Sequence, residues 1–160
     1  MNIFWLDYDF ERSVSYYCDQ HVVKMITEYA QLLSTSSRLN GLEQGYKLSH
    51  VNHPCTIWLG ESLDNWLALK QLSKFLYREF VKRFSNTHNS YFVIEKLEPP
   101  NLPNKGFTEP PQCMPFIYKS VDYVIAYRIY YIGDKKRFVR YRYSEQPRWL
   151  IEVDPYLDLF

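Results

Sequence analysis

His21, Lys24 and Glu28 stand three and four residues apart in the run DQHVVKMITE, residues 19–28. Two helical turns separate the first from the last, so all three fall on one face of a helix. A carboxylate in such a row can serve glycosidic chemistry in either protonation state. Ionised, it stabilises a developing sugar cation; protonated, it hands a proton to the leaving group. The plainer reading is an ion pair between Glu28 and Lys24, worth only about 0.2–0.5 kcal/mol on a helix surface. Spacing alone leaves both readings open.

A second chemical signal lies near the other end. Between Tyr127 and Trp149 stand Arg128, Lys135, Lys136, Arg137, Arg140, Arg142 and Arg148, opposed only by Asp134 and Glu145. This stretch carries +5 in a chain of net charge +1, so the remainder is net negative. Tyr127, Tyr130, Tyr131, Phe138, Tyr141, Tyr143 and Trp149 are interleaved with the cations. Cations contact phosphates and release counterions, and planar rings stack on unpaired bases. A nucleic acid is the partner this mixture suggests, with a solvated basic face over inward-packed rings as the alternative. The near-neutral total excludes a histone-like general binder but not a local basic surface.

Metal ligation is the third possibility. Cys18 and His21 form one pair, and the string HPC supplies His53 and Cys55. Neither pair has finger or ribbon spacing, so buried side chains without a metal are the expectation, and no metal or cofactor is predicted. With five glycines, the chain offers no phosphate-cradling loop. Three scattered cysteines do not make a disulfide framework. A reducing cytosol, that of the host cell if the chain is viral, is the expected location. No leader peptide and no membrane span is expected.

The elements that must position these residues follow from periodicity. One domain, all-α, is predicted for the 160 residues. The segment MNIFWLD reads as a short strand or an extended arm. Asp9 caps a first helix over 10–37, with Val14, Cys18, Val22, Met25 and Tyr29 on its buried face. Residues 34–45 read as a polar loop. Pro54 opens a second helix that runs to Phe84 on a stripe including Leu59, Trp66, Leu72 and Phe80. Six prolines keep 98–115 out of any helix interior. Ser120 caps a third helix, with Val121, Val124 and Ile125 on its apolar side. The remainder is irregular or partly helical. The expected architecture is a compact three-helix bundle with long loops, monomeric.

The order of these motifs resembles a family. Asp-Gln-His followed by a glutamate seven residues after the histidine is similar to the first helix of the pyrimidine-dimer DNA glycosylases of the phage endonuclease V type. The Pro54 entry to a long helix, the pair Pro111–Gln112 before the third helix, and the string Gln146-Pro147-Arg148-Trp149 extend the likeness over most of the chain. The opening M-N-I-F and the string C-D-x-H-V-V-K-M are also similar to a group of phage proteins. The resemblance implies an endonuclease V-like fold that binds duplex DNA and flips a nucleotide out of the stack. It implies that Glu28 stabilises the cationic sugar, that His21 belongs to the same site, and that Lys24 and Arg12 contact phosphates. In the family an α-amine at the chain start attacks the sugar. Counting back the family's spacing from Asp19 reaches Asp7 rather than Met1. Three outcomes therefore stand open: Met1 folds back and supplies the amine, Asp7 or Asp9 activates water, or the scaffold binds DNA without catalysis. A non-catalytic host-interaction protein on the same scaffold and a hydrolase of free nucleotides or nucleosides are further alternatives.

Overall fold

The computed structural model describes residues 1–159. Those residues form seven α-helices and no strand: α1 (Phe10–Ser15), α2 (Asp19–Leu39), α3 (Pro54–Glu61), α4 (Leu63–Phe84), α5 (Asn89–Lys96), α6 (Tyr123–Tyr130) and α7 (Arg148–Ile151). A 3₁₀ turn, Phe116–Tyr118, precedes α6, and a π-turn, Tyr131–Lys135, follows it. The all-α expectation holds, and the count of three helices does not. Among the described residues no helix is long and apolar enough to cross a membrane.

The first eight residues explain much of the rest. They form no regular element, yet Ile3, Phe4, Trp5 and Leu6 are all buried. Extended backbone in a core must find partners for its N–H and C=O groups. Side chains supply them here. The Phe4 carbonyl accepts from the Tyr17 hydroxyl at 2.6 Å and from Ser13 Oγ at 3.3 Å. The Leu6 N–H donates to Ser13 Oγ at 2.9 Å, and its carbonyl accepts from Arg128 Nε at 2.7 Å. The Phe4 N–H reaches the Tyr29 hydroxyl. An arm with no strand to pair with thus recruits tyrosines and one arginine into the interior.

The helix expected over 10–37 is broken between α1 and α2. Asp9 caps α1 as expected, accepting from the Arg12 N–H at 2.8 Å. Tertiary donors then take the carbonyls freed at the break. Arg83 binds the carbonyls of Ser15 and Tyr17 at 2.9 and 2.7 Å, and the Tyr141 hydroxyl binds that of Tyr16 at 2.7 Å. At its other end α2 runs past Ser34 to Leu39 instead of giving way to a loop. The polar run stays helical because its hydroxyls bond the preceding turn: Ser34 to the Ala30 carbonyl at 2.6 Å, Ser37 to that of Leu33 at 2.8 Å.

The second long helix is likewise divided. Ser62, in extended backbone, separates α3 from α4, and its hydroxyl donates to the Gly106 carbonyl at 2.7 Å. The Leu63 N–H meets the Pro103 carbonyl at 2.8 Å. The proline-rich segment, extended as expected, is therefore stitched to the α3–α4 junction. It is anchored further by Trp58 Nε1 to the Thr108 carbonyl. Asp122, not Ser120, caps α6, and Val121 is exposed. Helix α2 is central, packed against α3, α4 and α5, and one contiguous apolar core draws residues from all seven helices.

Candidate functional site

The face of α2 that carries His21, Lys24 and Glu28 looks into a small polar cavity of about 120 Å³. Met1 and Phe4 of the arm and Lys135 of the π-turn close it from the other sides. Helix periodicity aligns the α2 residues, and the buried arm brings Met1 to them. Three of the four residues expected to be catalytic, Glu28, His21 and Met1, are thus together. Asp7 is not among them.

Glu28 is held in an uneven way. Oε1 pairs with Lys24 Nζ at 3.0 Å. Oε2 is buried without any hydrogen-bond partner, and it is the one carboxylate oxygen in that state among the described residues. A buried acceptor left open costs free energy unless a ligand or water fills it. The side chain keeps 13% of its surface exposed, toward the cavity.

His21 is a neutral group. It stacks on Phe4 with ring centroids 4.4 Å apart, and its Nδ1 shares a hydrogen bond with the Tyr131 hydroxyl. Burial lowers its imidazole to about 3, with the charges of Lys135 and Lys24 adding to the effect. Burial also holds the Tyr131 hydroxyl well above its ordinary range, so that group keeps its proton. His21 therefore orients neighbours rather than carrying charge to a phosphate. An unfolded histidine takes up a proton near pH 6.5, whereas folded His21 resists until about 3. Between those values the unfolded chain binds more protons, so stability is full above pH 6.5 and falls as the pH drops. Going from pH 7 to pH 5, this group alone is expected to cost about 2 kcal/mol. Urea unfolding of His21→Gln at the two pH values is expected to show a loss smaller by that amount than wild type. Equal losses in both proteins would contradict the assignment.

Asp7, expected as a water activator, is fully buried with both of its oxygens already paired. Its Oδ1 accepts from Arg12 Nη2 and from the Asp9 N–H, both at 2.9 Å, and its Oδ2 faces Arg128 Nη2 at 3.2 Å. Neither oxygen is without a partner, and Asp7 does not line the cavity. The expectation is corrected: Asp7 holds the arm in place. Arg12, expected on phosphate, is the partner of Asp7.

The basic segment divides sharply. Arg128 is wholly buried, donating to the carbonyls of Leu6, Pro155 and Leu157 and pairing with Asp7. Trp149 is also wholly buried, with the Arg128 guanidinium 5.1 Å from its ring, so neither reaches DNA. Tyr141 is held inward by its bond to the Tyr16 carbonyl. Arg148 is tied to Glu152 and Asp158, and Arg137 to Asp134. Lys135 pairs with Asp134 at 2.9 Å while lining the cavity. Lys136, Arg140 and Arg142 are exposed, and among the described residues their side chains make no ion pair. Tyr143 is exposed with its edge against Phe84. The interleaved rings are thus mainly interior, and a reduced surface of cations remains.

Sequence reasoning missed Cys113. It comes next to His53 and Cys55, the three ligand atoms lying within 4.8 Å of one another. The pairing of Cys18 and His21 with His53 and Cys55 does not occur. The Cys55 and Cys113 sulfurs are 3.7 Å apart and share a hydrogen bond. That bond raises the Cys55 thiol, burial adding to the effect, and lowers the Cys113 thiol. In the sequence only the string HPC hinted at this cluster. No family model, no curated protein and no solved structure matches the chain.

Proposed function

We propose that this protein is a DNA glycosylase-like enzyme that breaks the N-glycosidic bond of a damaged or modified base in duplex DNA. The observation that carries the reading is the open, buried Oε2 of Glu28 in a polar cavity shared with Met1, His21, Lys24 and Lys135. The likeness to endonuclease V-type glycosylases adds to it. As the base leaves with the bonding electron pair, positive charge grows on the sugar. Glu28 faces that charge and is worth most there, where water is largely excluded. The Met1 amine or a water molecule attacks the anomeric carbon. Lys24 and Lys135 flank the site and bind the adjacent phosphates, while Lys136, Arg140 and Arg142 hold the duplex beyond it.

Duplexes carrying defined lesions or modified bases, incubated in chelator, test this reading. Wild type is expected to release base. Borohydride is expected to trap a covalent adduct if the Met1 amine attacks, and none if water does. Release of base from free nucleosides at an equal rate would favour a nucleoside hydrolase, a reading to which the largely interior rings lend some weight. Duplex binding without base release from any substrate would leave a non-catalytic binder.

The surface assignment has its own test. Charge reversal at Arg140 and Arg142 is expected to weaken duplex binding at least about tenfold and to reduce the salt slope by about 2. The same reversal at Arg148, which is already paired with acids, is expected to matter far less. A filter-binding series over salt concentration checks both expectations.

A further inference from the structure

We infer that His53, Cys55 and Cys113 form a binding site for a thiophilic divalent metal ion of the zinc class. Two sulfurs bound to one zinc at ~2.3 Å and at a tetrahedral angle are ~3.8 Å apart. The two sulfurs here stand 3.7 Å apart, far beyond the ~2.05 Å of a disulfide. They already have the spacing of one edge of the coordination tetrahedron. The imidazole donor lies within 4.8 Å of both, so it needs to close by about 1.3 Å at most.

The surroundings favour the same assignment. His53 sits at the N-cap of α3, where its Nδ1 accepts from the Cys55 N–H at 3.1 Å. That bond gives Nδ1 a lone pair and places the ring proton on Nε2. A metal at Nδ1 exchanges the capping hydrogen bond for a coordinate bond. Cys55 enters from the first turn of α3 and Cys113 from the end of the proline-rich segment. That segment is held beside α3 by Trp58 and Asn65 through Thr108. Both thiols are free, and Cys113 is only half-buried, which gives an ion a way in. Binding replaces the thiol protons, so affinity rises with pH. The site carries three side-chain ligands, one short of a closed structural zinc site, and its remaining position belongs to water or an exogenous ligand.

Cobalt(II) titration of the full chain, reduced and stripped of metal, tests the inference without DNA. One equivalent is expected to give intense thiolate charge-transfer and tetrahedral ligand-field bands, which zinc then abolishes by displacement. Cys113→Ser and His53→Gln are expected to bind at least about tenfold more weakly, while Cys18→Ser binds as wild type. Far-ultraviolet circular dichroism identifies any variant that has lost its fold. Zinc is expected to raise the melting temperature of wild type but not of Cys113→Ser. Failure of the reduced wild-type chain to bind one equivalent would overturn the assignment. So would unchanged binding by Cys113→Ser. Because the readout needs no substrate, it stands or falls apart from the glycosidic reading.

Discussion

Arg128→Met is expected to cost about 3–5 kcal/mol of folding stability, a substantial share of what a domain of this size commonly has. The reason is the number of buried groups that one guanidinium serves. It donates to the carbonyls of Leu6, Pro155 and Leu157, and it neutralises the wholly buried Asp7. Methionine fills similar space but leaves three acceptors and half of a carboxylate without partners. Arg12 still holds the other oxygen of Asp7, which keeps the loss from being larger. Arg148→Met is the matched control. Its ion pairs with Glu152 and Asp158 are exposed, so a change of no more than about 1 kcal/mol is expected. Denaturant midpoints of the two variants check the contrast. Weakened DNA binding with unchanged stability in Arg128→Met would instead return this residue to the surface role that its neighbours in sequence suggest.

That contrast shows where the sequence was readable and where it was not. The row His21, Lys24, Glu28 and the cap at Asp9 depend on local geometry, so spacing and residue type disclosed them. The same local logic placed Pro54 at a helix start and kept the proline-rich segment extended. Arg128 and Trp149 were illegible because their burial answers a distant demand, an arm whose backbone has no strand to pair with. The breaks at Tyr16 and at Ser62 have the same origin. Donors from Arg83 and Tyr141, and acceptors along the proline-rich segment, take up groups that a continuous helix would have satisfied itself. The serine run of α2 misled in the opposite direction, since its hydroxyls turn back onto their own helix. Cys113 was invisible beside HPC because 58 residues of chain separate it from Cys55.

Glu28→Gln is the second large effect, and it bears on chemistry rather than folding. Glutamine keeps the shape of the side chain and can still accept from Lys24. It removes the negative charge that faces the growing sugar cation. A positioned carboxylate acting in this way contributes about 10²–10⁴-fold to a rate. The loss is therefore expected in the chemical step, with duplex affinity little changed. The fold is expected to tolerate the substitution, because Glu28 keeps a partly open side chain and a single surface partner.

Single-turnover base release from a lesion-bearing duplex, measured beside duplex affinity for wild type and Glu28→Gln, puts the proposed role of the cavity to its most direct trial. The account predicts that release falls by at least about 10²-fold while affinity stays within about twofold. Equal rates of release from both proteins would contradict it and would leave the open oxygen of Glu28 without a part in the reaction.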